Sequence, residues 1–183
     1  MLPSVVIVGA TTDRPGHVQH VAAGTIVLGA TVEESRERAE GLRALLSKTG
    51  LPVHVSEDIR YERWRKLAWN VGFNMVSAVT GREPAVLLRV PESRELLTNV
   101  MQEVVAVARA QGIGLTDADA EEQIAWTERQ GAIRTSTMVD RERGRAMEID
   151  GLIGVVVRRG RQHGVATPCC ATLLALLRSI ESS

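Results

Sequence analysis

The run Trp64 to Asn74, WRKLAWNVGFN, places Lys66, Asn70 and Asn74 at intervals of four residues. On an α-helix that spacing sets the three side chains along one stripe. Asparagine is a poor helix former because its amide competes for backbone hydrogen bonds. Two of them on one stripe, in a helix otherwise rich in apolar residues, therefore ask for a cause. One reading is a polar stripe that faces solvent. The other is a lysine proton donor flanked by amides that orient a polar ligand. An ammonium group can stabilise an oxygen that gains negative charge and then give it a proton.

A second stretch with chemical content is STMVDRERGRAMEIDGLIG, Ser136 to Gly154. Ser136 is expected near a helix start, where a hydroxyl and backbone N–H groups can together hold a carboxylate. Glu148 is expected at the start of the following helix, in front of an apolar run. There an acid either caps the helix or faces a ligand. Asp140 and Asp150 read as structural, paired with Arg143, Arg145 or helix termini. Cys169 and Cys170 are adjacent and follow Pro168, which is neither a disulfide framework nor a spaced metal motif. Packing accounts for them.

The elements that must position these residues are legible in outline. Ser4 to Gly9 (SVVIVG) is β-branched and ends in glycine, as a buried strand does. Ala10 to Gly16 is rich in turn formers. GHVQHVAAGTIVLG reads as a hairpin with Ala22-Ala23-Gly24 at its turn. Thr31 offers an N-cap, Glu33 and Glu34 suit a first helical turn, and Gly50 closes that helix. Leu51 to Ser56 is a further strand. From Tyr61 onward the sequence is almost purely helical. Helices are predicted over Tyr61–Thr80, Glu92–Gln111, Asp117–Arg129, Ser136–Arg143, Glu148–His163 and Thr167–Ile180. Gly81, Gly112 and Gly144 act as stops, Thr116 or Asp117 as a cap, and Pro168 takes a first helical position. The second helix carries Leu96, Val100, Val104, Val107 and Ala108 on one side.

Composition narrows the classes of function. Of 183 residues, 44 % are hydrophobic, enough to bury a core. Lys plus Arg and Asp plus Glu number 22 each, so no strong case exists for nucleic acid or an anionic membrane as partner. Aromatics make up 3 %, too few for a base-stacking platform. No apolar run approaches the roughly 20 residues that span a bilayer. Met1-Leu2-Pro3 has no basic n-region of the kind that opens a signal peptide. A reducing cytoplasm is the expected location.

Taken together, the motifs resemble one family. W-x-K-L-x-x-N-x-x-x-N from Trp64, S-x-M with Asp140 one residue early, E-I-D-x-x-x-G from Glu148 and G-V-A-T-P from Gly164 follow one another as in ketopantoate reductase (2-dehydropantoate 2-reductase). PGHVQHVAAGTIVLG, ending at Gly29, is similar to that family's segment ahead of them. The resemblance implies that Lys66 is the general acid and that Asn70 and Asn74 bind substrate. It implies that Ser136 holds the substrate's carboxylate end and that Glu148 lies near cofactor and lysine. The implied activity is NADPH-dependent reduction of ketopantoate to pantoate, with a small 2-keto acid as substrate.

Three departures qualify that expectation. No G-x-G-x-x-G occurs, and Gly112-Ile113-Gly114 does not begin one. The loop from Ala10 to Pro15 is short against the family's. Pro84 stands in the neighbourhood of a further substrate-binding asparagine of the family, and Thr137 where methionine is common. The fold expected is mainly α: a small α/β remnant of a Rossmann-type domain over residues 1–60, then an all-helical substrate and catalytic domain over 61–183. A homo-oligomer, or a separate nucleotide-binding half, is expected to cover the strand edges of the remnant. The rival readings are a reductase of another 2-keto acid and a non-catalytic helical module for oligomerisation or small-acid binding.

Overall fold

The computed structural model describes residues 2–30 and 33–182; the expected cap at Thr31 lies outside them. The chain forms two compact units, Met1–Arg63 and Trp64–Ser183.

The first unit holds a three-stranded sheet in the order β1–β2–β3. Strand β1 (Ser4–Arg14) runs antiparallel to β2 (His17–Gly29), and β2 runs parallel to β3 (Val53–Ser56). Parallel neighbours need a crossover, and helix α1 (Glu33–Ser47) supplies it. Leu28, Ala39 and Val53 are buried together, with Ile26, Leu42, Leu46 and Val55 packed against them.

Two expectations for this unit are corrected. The hairpin turns at Pro15-Gly16, where Arg14 pairs with His17 and Gly16 has φ +80°. Ala22-Ala23-Gly24 stays inside β2. Ile7 pairs with Thr25 and Val8 with Ala23, so Gly24 is the extra residue of a bulge at φ +135°. A glycine within a strand serves a bulge as readily as a turn, and that is why the sequence misled. The strand from Ser4 is also not buried. Val5 is, but Val6, Ile7 and Val8 are 41 %, 40 % and 52 % exposed, because β1 is an edge of the sheet.

The second unit is helical. Helix α2 (Ile59–Trp69) is followed without a break by a π-helical turn (Asn70–Asn74) and α3 (Met75–Thr80), which ends at Gly81 with φ +66°. Then come α4 (Pro84–Arg89), α5 (Pro91–Ala110), α6 (Asp117–Arg129), α7 (Ser136–Glu142), α8 (Ile153–His163) and α9 (Pro168–Glu181). Helix α4, which Pro84 opens, was not anticipated.

Helix α5 organises the unit. Leu97, Val100, Met101, Val104, Val105, Val107 and Ala108 are all buried on one side, as the expected stripe requires, while Glu92, Glu95, Asn99 and Gln102 on the other side are exposed. A helix with a broad apolar face lies against a core, and α5 packs against the π turn, α4, α6, α8 and α9. Polar devices set the ends of its neighbours. Thr116 and Asp119 form a reciprocal capping box on α6, with Asp119 N–H donating to Thr116 Oγ1 and Thr116 N–H to Asp119 Oδ2 at 2.7 Å. Both carboxylate oxygens of Glu103, on α5, accept the first free N–H groups of α9, from Cys169 at 2.8 Å and Cys170 at 2.9 Å. A carboxylate there satisfies orphan donors and complements the helix dipole.

One glycine in the first unit is fixed by close approach. A Cβ on Gly29 would lie 2.3 Å from Ile59 Cβ. Gly29→Ala should therefore destabilise this unit by about 1–3 kcal/mol, the cost of an overpacked contact. Urea unfolding checks this, and equal stability of Gly29→Ala and wild type would contradict the packing described.

Candidate functional site

The continuous helical segment Ile59–Thr80 carries Lys66, Asn70 and Asn74. Its regularity breaks at NVGFN. In a π turn the hydrogen bonds run i→i+5, so four residues no longer complete a turn. The even stripe inferred from α-helical spacing is therefore not what forms. Lys66 and Asn70 are half-buried, whereas Asn74 is turned inward and 3 % exposed. Gly72 lies against α5. A Cβ there would sit 2.8 Å from Met101 Cγ. Trp69 and Phe73 brace the same turn, with ring centroids 5.4 Å apart and planes tilted by 37°.

The inward turn brings Asn74 to the second stretch of interest. Asn74 Nδ2 donates to Ser136 Oγ at 3.3 Å, across 62 residues of sequence. Ser136 is the first residue of α7 and is exposed, so its hydroxyl stands between a buried amide and the surface. Arg141, at the other end of α7, donates to the carbonyls of Ala78 and Val79 at the end of α3. Guanidinium donors on exposed helical carbonyls hold α7 against α3 and fix where Ser136 can be.

Three polar atoms on these elements are buried without a hydrogen-bond partner among the described residues: Asn74 Oδ1, Ser77 Oγ and Thr135 Oγ1. Buried polar groups are normally satisfied by protein or by ordered water, so these atoms mark places where a water or a ligand could bond. Sequence reasoning missed Ser77 and Thr135. Their available signals were the i, i+3 spacing of Ser77 from Asn74 and the hydroxyl run Thr135-Ser136-Thr137. The Asn70 carboxamide makes no hydrogen bond among the described residues either.

Glu148 is placed differently from expectation. Helix α8 begins at Ile153, so Glu148 lies upstream, in the turn Met147–Leu152, and does not cap the helix through its side chain. The sequence Glu-Ile-Asp-Gly is held by turn hydrogen bonds, Leu152 N–H to Glu148 O at 3.2 Å among them. The Glu148 side chain is exposed and joins neither Asn74 nor Ser136 by a hydrogen bond. Of the two aspartates, Asp140 pairs with Arg145 as expected, and Asp150 pairs with Arg178 at 2.7 Å.

The arrangement offers a small polar molecule an amide and a hydroxyl; Lys66 stands eight residues before Asn74 on the same helical segment. No G-x-G-x-x-G loop, the usual cradle for a dinucleotide's pyrophosphate, occurs in the sequence. Among the described residues no group of three or more His, Cys, Asp or Glu side chains could hold a metal ion. Among them, too, no helix is long and apolar enough to cross a membrane.

Residues 58–181 match the family model described as ketopantoate reductase PanE/ApbA C terminal. The chain belongs to the ketopantoate reductase family. It is 34 % identical over 180 residues to the 2-dehydropantoate 2-reductase of Mesorhizobium japonicum, covering 98 % of this chain and 55 % of that protein. The crystal structure of 2-dehydropantoate 2-reductase from Methylococcus capsulatus superposes with a TM-score of 0.90 at 32 % identity, over 98 % of this chain and 62 % of that one. D-mandelate dehydrogenase in complex with NADH gives a TM-score of 0.89 at 27 % identity, over 99 % and 62 %. The chain thus spans little more than half the length of such relatives.

In this ketopantoate reductase family member the cysteine pair is built for packing. Cys170 is buried, and burial followed by the Glu103 carboxylate pushes its thiol well above the ordinary range. Cys169 is raised by burial first and then by Glu103. Both groups are therefore thiols, not thiolates, at neutral pH. Their alkylation by iodoacetamide at pH 7 should be slower than that of free cysteine, and should rise only as pH passes above the free thiol's pKa. Labelling rates read by mass spectrometry check this. Modification of either residue as fast as free cysteine at pH 7 would contradict it.

Proposed function

We propose that this chain is the substrate-gripping and proton-donating part of an NADPH-dependent 2-keto acid reductase, with ketopantoate as substrate and pantoate as product. The observation that carries the reading is the Asn74–Ser136 hydrogen bond. It joins two motifs far apart in sequence and leaves Asn74 Oδ1 as a buried acceptor in need of a donor. A substrate hydroxyl is such a donor, and ketopantoate carries one. Ser136 then takes the carboxylate end, and the Asn70 amide takes the remaining polar edge.

The half-buried Lys66 supplies the chemistry. Reduction of a keto group builds negative charge on its oxygen. An ammonium beside that oxygen stabilises the charge as it forms and delivers the proton. Glu148, exposed on its turn, is assigned to the cofactor side. The cofactor's phosphates need a cradle that the residues present do not provide, so the active enzyme combines this chain with a nucleotide-binding part. The exposed aliphatic edge of β1 supports such a partner, or a second copy of the chain, in solution.

A second reading, reduction of a different 2-keto acid, is favoured by Pro84. It is buried and opens α4 where the family resemblance leads one to expect an amide. The likeness to D-mandelate dehydrogenase points the same way.

In the assembled enzyme, Lys66→Ala should lower turnover about a hundred- to ten-thousand-fold while changing the Michaelis constant little. Asn70→Ala and Ser136→Ala should instead raise the Michaelis constant more than they lower turnover, because they hold groups that do not change charge. Steady-state kinetics on the three variants, with ketopantoate and a 2-keto acid lacking the hydroxyl, separates the two substrate readings. Near-normal turnover of Lys66→Ala would show that the lysine is not the acid.

A further inference from the structure

Helix α6 carries none of the motifs quoted above, yet its polar residues reach the segment that bears Lys66 and Asn70. Gln123 Nε2 donates to the backbone carbonyl of Arg65 at 2.8 Å. The indole Nε1–H of Trp69 donates to Thr127 Oγ1 at 2.9 Å. The Thr127 hydroxyl in turn donates to Gln123 O at 2.7 Å, which aims an oxygen lone pair at the indole. Gln123 is 8 % exposed and Thr127 fully buried. Hydrogen bonds shielded in this way compete poorly with water and are costly to break.

The register of these bonds is informative. Arg65 immediately precedes Lys66, and Trp69 immediately precedes Asn70. Gln123 and Thr127 are four apart, as are Arg65 and Trp69. Two helices are thus tied at two points about one turn apart. One tie would leave a helix free to rotate about its axis; two in register do not. Because successive residues are about 100° apart on a helix, holding 65 and 69 fixes the directions in which 66 and 70 project. The Gln123 amide has one workable orientation, since a flip would set its Oε1 against the Arg65 carbonyl. Its Oε1 is buried without a partner among the described residues, so the side chain is retained for the donor it supplies. The ion pair of Arg65 with Glu122 at 2.9 Å adds little, since Glu122 is largely exposed.

We propose that Gln123 and Thr127 are positioning residues for the reaction: they set the rotation of α2 and so aim Lys66 and Asn70. The inference rests on the functional reading given above for Lys66. Its structural part can be tested without that reading. Amide hydrogen exchange over residues 65–74 is measured on this chain for wild type, Gln123→Met, Thr127→Val and Thr127→Ser. The first two variants keep the volume and remove the polar tie, and Thr127→Ser keeps the hydroxyl. Exchange should quicken about tenfold in Gln123→Met and Thr127→Val over this segment, with α9 unchanged. Thr127→Ser should retain the wild-type rate.

Kinetics of the assembled reductase supplies the second arm. Turnover in Gln123→Met and Thr127→Val should fall about tenfold or more, the Michaelis constant should rise as well because Asn70 is misdirected along with Lys66, and Thr127→Ser should restore both. Unchanged exchange over 65–74, or a rise spread evenly over all helices, overturns the clamp. Local loosening with undiminished turnover overturns the positioning role while leaving Lys66 as the acid. If Lys66→Ala is itself fully active, the functional reading fails and the positioning role falls with it, whatever the exchange rates show.

Discussion

The contact between Met101 and the bare Cα of Gly72 is the constraint from which the site follows. Helix α5 turns its buried face towards the segment that holds Gly72, where a Cβ would sit 2.8 Å from Met101 Cγ. The turn that makes this approach, Asn70–Asn74, is π-helical. A helix pays for such a turn in hydrogen-bond geometry, and π turns are rare outside functional sites. What it gains here is direction. Asn74 is carried inward to Ser136, while Lys66 and Asn70 keep partial access to solvent. A side chain on residue 72 would remove the contact, and a regular α-helix would set Asn74 in a different direction from its present one.

The two units are stabilised in different ways. In the helical unit α5 packs against the π turn, α4, α6, α8 and α9, and helix ends are tied by Glu103, Arg141 and the Thr116–Asp119 box. The sheet unit is open. Its middle strand, β2, is paired on both sides, but β1 presents Val6, Ile7 and Val8 at an edge, and β3 is only four residues long. Exposed aliphatic residues on an unpaired edge strand favour association. The unit that holds the candidate site is the one whose helix ends are tied by side chains.

Much of this was legible in the sequence where one local signal dominated. The helix Asp117–Arg129 has the bounds expected of it, and of the two cap candidates, Thr116 and Asp117, it is Thr116 that caps. Gly81 and Pro168 marked boundaries for equally local reasons. Failures came where one residue type serves two geometries. Gly24 reads as a turn and is a bulge, while Pro15-Gly16, hidden among other turn formers, makes the actual hairpin. The i, i+4 asparagines read as an α-helical stripe, and nothing in NVGFN announces that the turn is widened; the cause lies at Met101, 29 positions beyond Gly72 in the sequence. Glu148 was drawn into α8 because an acid before an apolar run resembles a helix start. Gln123 and Thr127 look like ordinary polar residues of a surface helix until the partners 58 residues away are in view.

In the function proposed above, the polar groups between the π turn and α7 receive a small 2-keto acid. The sequence holds three asparagines, Asn70, Asn74 and Asn99, and Asn99 is exposed on α5. Their side-chain amide signals in a proton–nitrogen correlation spectrum therefore report on the site with a built-in control. On titration with ketopantoate, the account predicts saturable shifts of the Asn70 and Asn74 signals with Asn99 unmoved, and loss of those shifts in Ser136→Ala. Signals of Asn70 and Asn74 that stay fixed to saturating ketopantoate, or that move no more than Asn99, would contradict it.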